Sequence, residues 1–184
     1  MEDNNKKKTR RIIKNITVEL LDSLLGVAEG FVVSMDRREA RKVIYGEYEK
    51  ELTVANISKY FYSLFHRGYV ETKVTKQGKE SIVLTNKAKI ILLDKIAEKI
   101  PKDKRFYLVS FDIPERLRRN RDLFRRSIKR LGFVELQKSL WVSNKNCGEI
   151  IDMLTGEYGV SDYVVYFVSD ITNASNSVKK LLKK

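Results

Sequence analysis

The apolar positions change period twice along this chain. In "TVELLDSLLGVAEGF" they recur at helical spacing, which predicts a first helix. "SMDRREARKVIYG" predicts a second, with Ser34 or Asp36 as its N-cap and Gly46 as its stop. A third is expected in "TVANISKYFYSLFHRG", from a Thr53 cap to Gly68. "YVETKVTKQGKESIVLT" then switches to two β-rich arms around Gln77-Gly78, a hairpin signal, before "TNKAKIILLDKIAEKI" returns to helical periodicity.

Beyond Pro101 the pattern becomes one of short apolar strands between helices. "KRFYLVSFDIPE" is a strand bracketed by charge, and the stretch Arg116–Leu131 a helix. "GFVELQKSLWVS" reads as strand that splits in two, "KNCGEIIDMLTGEYGV" as helix and "DYVVYFVSDI" as an almost wholly apolar strand. The expected fold class is α+β. An N-terminal winged helix-turn-helix, which is three helices and a hairpin, precedes a ferredoxin-like β-α-β-β-α-β domain. Pro101 follows a helical pattern and precedes a strand pattern, so the domain boundary is expected at 101–104. This gives 1–100 as the winged helix with a basic arm, 105–172 as the ferredoxin-like domain and 173–184 as a basic tail.

Charge adds a partner to this outline. Across 184 residues, 37 Lys+Arg stand against 24 Asp+Glu, a net +13 with a pI near 9.7. An excess of that size points to a polyanion, because phosphate contacts by Lys and Arg supply most non-specific nucleic-acid affinity. One Cys (Cys147) and one His (His66) cannot build a zinc cluster or a Cys–His nucleophile within one chain. The most apolar stretch, "LLDSLLGVAEGFVVSM", contains Asp22 and Glu29, so neither a signal peptide nor a membrane span is expected, and a cytoplasmic location is.

Helical wheels locate the candidate contacts. On the third helix Val54, Ile57, Phe61, Leu64 and Phe65 share one arc, with Asn56, Lys59, Ser63, His66 and Arg67 opposite. That outer set mixes amide, hydroxyl and cationic groups, the chemistry needed for base edges and phosphates; a plain solvated face is the bland alternative. Lys73, Lys76 and Lys79 on the hairpin would lie along the DNA backbone. On the Arg116–Leu131 helix, Leu117, Phe124, Ile128 and Leu131 gather on one side. Arg116, Arg118, Arg119, Arg121, Arg125, Arg126, Lys129 and Arg130 fill most of the rest, with Asp122 the one acid. Like charges at this density repel, so an anion is expected to relieve them: phosphate, with Arg118, Arg119, Arg125 and Arg126 as the candidates, or acids such as Glu115 and Glu135.

"FDIPERLRRNRDLFRRSIKRLGFVELQKSLWVS" resembles the central domain of the PaaX family, repressors of phenylacetate catabolism and their relatives. The Asp-Ile-Pro-Glu strand end, the Arg-rich helix, Leu-Gly-Phe and the Trp-bearing strand stand in the family's order. That domain is in turn similar to CRISPR-associated protein two, a ferredoxin-like dimer in which a strand-end Asp at the place of Asp112 can bind metal. The resemblance implies a homodimeric, sequence-specific regulator of double-stranded DNA, expected to lack the family's further C-terminal domain. It leaves a small-molecule effector unidentified. Two alternatives stand beside it: a Mg²⁺-dependent nuclease centred on paired Asp112, and a non-catalytic CRISPR-adaptation scaffold. The first reading needs no cofactor and makes Asp112, with Glu115, a helix cap or ion-pair partner.

Overall fold

A computed structural model of the chain describes residues 18–22, 24, 40, 42, 54–74, 78, 80–170 and 182, with side chains of the third helix described from Lys59 onward. The chain divides into two compact units, Met1–Leu92 and Leu93–Lys184.

In the first unit, Val18–Asp22, Leu24, Ala40 and Lys42 are helical, and Leu20, Leu21, Leu24 and Ala40 are buried. The rest of the first two expected helices, with the Ser34 and Asp36 caps, lies outside the described residues. The third is α1 (Val54–His66), which buries Phe61 and Leu64. It closes at Gly68, whose φ of 67° is a left-handed conformation that costs a residue with a Cβ and not glycine. There the Gly68 N–H reaches the Phe65 carbonyl and the Tyr69 N–H the Leu64 carbonyl, satisfying two orphan acceptors.

Strands β1 (Val70–Val74) and β2 (Glu80–Leu84) pair antiparallel with Val70 opposite Leu84 and Val74 opposite Glu80. Gly78, in the expected turn, has φ 76°. Thr85 then caps α2 (Asn86–Ile91), and its hydroxyl donates back to the Gly68 carbonyl at 2.8 Å. Lys87 donates to the Arg67 carbonyl at 2.8 Å and lies over the Tyr69 ring, so the end of α1 and the base of the hairpin are fastened to α2.

The helical run expected through residue 100 is broken at Leu92, and its second part is α3 (Leu93–Lys99), the start of the second unit. Leu93, Ile96 and Ala97 are buried, Asp94 pairs with Arg130 at 2.7 Å, and Lys145 donates to the Ala97 carbonyl. The two compact units meet at 92/93, and Pro101 follows the end of α3.

The second unit continues with β3 (Lys102–Phe111), a 3₁₀ turn at Glu115–Leu117 and α4 (Arg118–Arg130). It ends with β4 (Val134–Gln137), β5 (Leu140–Lys145), α5 (Gly148–Glu157) and β6 (Val164–Ser169). The elements follow the expected β-α-β-β-α-β order, and the sheet order is β4-β5-β3-β6 with every neighbouring pair antiparallel. Register assigns the faces. Tyr107 lies opposite Ser143 and Val168, and Val109 opposite Trp141 and Tyr166. This face meets the helices: the Phe111 and Phe124 rings pack edge to face at 5.5 Å, and a Cβ on Gly148 would come within 3.1 Å of the Tyr166 ring. Phe124, Ile128, Leu131, Ile150, Ile151 and Leu154 complete that core.

The start of β3 departs from regular pairing between Lys102 and Tyr107. There the Asp103 carboxylate accepts from the Tyr107 hydroxyl at 2.6 Å and from the Arg105 guanidinium at 3.0 Å. The Tyr107 bond first, with help from Arg105 and two backbone N–H groups, holds the Asp103 carboxyl down at about 2 instead of the usual 3.8. A carboxyl lowered on folding stabilises the fold above its unfolded value and loses that contribution as pH falls from about 3.8 toward 2. Tyr107→Phe is expected to return the Asp103 titration toward 3.8, read by carboxyl-carbon NMR; an unmoved Asp103 titration would contradict the assignment.

Candidate nucleic-acid interface

Two cationic surfaces, one in each unit, carry the groups that could meet a polyanion. In the first unit, Lys59, Tyr62, His66 and Arg67 are exposed and Ser63 half-buried, while Phe61 and Leu64 point into the core. Asn56 lies on the same helix, its side chain outside the described residues. Tyr62 was not among the residues the polar arc singled out. It is 72% exposed, and its ring stacks on that of His66 at 6.3 Å with 9° between planes. A phenol counts as apolar in a hydropathy pattern, so its place beside Lys59 and Ser63 was visible only from the wheel angle. On the hairpin, Lys73 is exposed and pairs with Glu71 at 3.0 Å, while Val74 is 70% exposed. Lys76 and Lys79 lie outside the described residues.

In the second unit, α4 turns Phe124, Ser127 and Ile128 to the sheet, and Ser127 shares a 2.8 Å hydrogen bond with the Tyr158 hydroxyl. Burial of that stripe leaves the cations outside, where they fall into two groups. Arg130 pairs with Asp94, Arg121 with Glu115 at 2.9 Å, Arg125 with Glu135 at 3.4 Å, and Arg118 loosely with Glu115 at 3.6 Å. Arg121 also donates to the Ile113 carbonyl, and Arg125 lies over the Trp141 ring. These side chains tie α4 to α3, to the 3₁₀ turn and to β4. Among the described residues Arg116, Arg119, Arg126 and Lys129 have no carboxylate partner: Arg116 donates to the Tyr163 hydroxyl, and Arg126 to the Asp122 carbonyl. Of the four Arg singled out by sequence, Arg119 and Arg126 are thus in the unpaired group, and Arg118 and Arg125 sit against Glu115 and Glu135. Arg119 to Lys129 spans about 15 Å of helix axis, the scale of several base-pair steps.

Asp112 is a correction. It is exposed at the end of β3, its N–H donating to the Tyr163 carbonyl, and its carboxylate caps nothing. The 3₁₀ turn is capped by Pro114 and α4 by Leu117, neither through a side chain. The extended Pro114 backbone carries the chain past Asp112 before any helical turn begins, which leaves Glu115 as the acid of that first turn. Among the described residues no three His, Cys, Asp or Glu gather where a metal ion could be held. Cys147, just before α5, is buried, and burial pushes its thiol up to about 11. Trp141 is buried in the helix-side core, with an indole N–H that meets no acceptor among the described residues.

Residues 99–181 match the family described as the PaaX protein central Cas2-like domain. No curated protein and no solved structure matches the chain.

The division among the α4 cations has a measurable consequence. Arg121→Ala is expected to lower unfolding stability by about 1 kcal/mol, because a half-buried guanidinium loses a carboxylate and a carbonyl. Arg119→Ala should leave the urea midpoint in place. Equal effects of the two substitutions would contradict the division.

Proposed function

We propose that this chain is a PaaX-like transcriptional regulator, a homodimer that binds double-stranded DNA sequence-specifically and acts as a repressor. The observation that carries this reading is a set of cations without carboxylate partners among the described residues, Arg116 on the 3₁₀ turn and Arg119, Arg126 and Lys129 on α4, within the stretch similar to the PaaX central domain. Four cations held without carboxylates repel one another, and phosphate oxygens relieve that repulsion while releasing counterions. The first unit supplies the reading element. As a winged helix, it would place α1 in the major groove, where Lys59, Ser63 and Arg67 reach base edges and His66 and Asn56 flank them. Lys73, Lys76 and Lys79 of the hairpin would follow the backbone. Pairing of two copies then presents two such helices to two half-sites, which favours a palindromic operator. No cofactor enters this mechanism, and the protein works in the cytoplasm.

A second reading has one observation in its favour. The exposed Asp112 carboxylate is committed to no cap, so two copies could bring a pair of Asp112 side chains to one Mg²⁺ for phosphodiester cleavage. The two readings part in one experiment: incubation with duplex DNA and Mg²⁺ leaves the DNA intact if the chain is a regulator. Cleavage abolished by Asp112→Asn would instead support the nuclease.

Selection from a random duplex library is expected to enrich a palindrome, and binding to that palindrome should fall steeply with salt. The triple substitution Arg119→Ala, Arg126→Ala, Lys129→Ala should lower the slope of log affinity against log salt by roughly 2 to 3, about 0.9 per lost phosphate contact. Lys59→Ala with Arg67→Ala should erase the preference for the palindrome over scrambled duplex. A library without enrichment, with flat salt dependence, would overturn the proposal.

A further inference from the structure

The outer row of α1 carries one side chain that neither packs the core nor offers a charge. Lys59, Tyr62, Ser63 and His66 stand at i, i+3, i+4 and i+7, a contiguous row on the side of the helix away from the buried Phe61 and Leu64. Lys59 and His66 are exposed and Ser63 is half-buried. Within this polar row Tyr62 sets an aromatic ring in water, and at 72% it is the most exposed large hydrophobic side chain among the described residues. The ring lies nearly parallel to that of His66, with 9° between planes and 6.3 Å between centroids. Two flat groups one helical turn apart thus make a single slab.

The surroundings of the slab limit what can cover it. Lys59 lies three positions before Tyr62 and Arg67 five positions after it, both exposed. An apolar partner for the ring must therefore be accepted between two cations, which favours a group carried by a polyanion over the apolar patch of a protein. The major groove of DNA admits a helix and presents it with donors, acceptors and one apolar group, the C5-methyl of thymine. Lys59, Ser63 and Arg67 suit the polar groups of that groove. The Tyr62 ring suits the methyl.

We infer that Tyr62 is a specificity-determining residue whose ring reads the C5-methyl of a thymine. The inference rests on the reading of α1 as the groove helix and adds to it a base that the helix selects. Contact takes ring and methyl out of water together. A ring already stacked on His66 loses less rotamer freedom in making that contact than a solitary one. Uracil offers the same O4 acceptor and pairs with adenine in the same way, so the methyl alone separates the two bases. The phenol hydroxyl takes no part in the selection.

The test uses the full chain and the palindromic duplex enriched from a random library. Thymines are replaced by deoxyuridine at one symmetric pair of positions at a time, and affinity is read by fluorescence anisotropy. At one such pair the replacement is expected to weaken wild-type binding about fourfold for each half-site, the scale of one buried methyl. Tyr62→Phe should keep that ratio, and Tyr62→Ser should bind the thymine and deoxyuridine duplexes equally. The side chain is exposed, so both substitutions leave the core of the unit intact. An enriched half-site without an A·T pair, a wild type indifferent to deoxyuridine at every position, or a ratio that survives Tyr62→Ser would overturn the inference while leaving DNA binding in place. A ratio lost in Tyr62→Phe would assign the contact to the hydroxyl and overturn it as well. A library without enrichment removes the groove helix itself, and both proposals fall with it.

Discussion

The packing of α4 on β3 is the constraint from which the second unit's surface follows. Phe124 meets Phe111 edge to face, and Ile128 and Leu131 extend the same buried stripe. Truncating a fully buried Phe of this kind costs about 3–5 kcal/mol, a large share of a small domain's stability, so the rotation of α4 about its axis is not free. Once that rotation is set, every other position of the helix must face water or a polar neighbour, and eight of the positions from 116 to 130 are Arg or Lys. Where α3, the 3₁₀ turn and β4 come close, the fold supplies Asp94, Glu115 and Glu135. Arg119, Arg126 and Lys129 have no carboxylate partner among the described residues. A hydrophobic decision on one side of a helix thereby determines which cations on the other side are available.

The same sheet solves its two faces differently. Its helix side is closed by long-range elements with large side chains, and there the indole N–H of Trp141 meets no acceptor among the described residues. On its other side Leu108, Leu136 and Leu182 pack against Phe106 and Val142, and Val165 and Phe167 of β6 are exposed. An uncharged edge strand, "VVYFVS", with Val165, Phe167 and Val168 exposed, is the sort of element that proteins usually cover or blunt. The first unit is held by other means: Thr85 and Lys87 fasten the end of α1 to the hairpin and to α2 through carbonyls that the helix end leaves open.

What could be read in the sequence was local and periodic. Apolar residues at helical spacing located α4, the glycine after α1 its left-handed stop, and the split of "GFVELQKSLWVS" the pair β4 and β5. What could not be read depended on partners distant in sequence. Asp94 reaches Arg130 across 36 positions, a contact that no local pattern reveals. Asp112 resembled a cap because it precedes a helix, but Pro114 delays the helix by an extended step. The pairing of Arg125 with Glu135 and Arg121 with Glu115, against the bare Arg119, follows from angles about the helix axis and from which strand returns beside it. Tyr62 was hidden by its own amphipathic chemistry, equally at home in a core and on a wet face.

The central claim is that part of the α4 charge is spent within the fold and part is kept for a polyanion. Its most direct test is an NMR titration of the guanidinium Nε signals with a short DNA duplex. The account predicts that the Arg119 and Arg126 signals move early in the titration while those of Arg121 and Arg130, already bound to Glu115 and Asp94, stay in place. Uniform movement of all four, or of none, would contradict it.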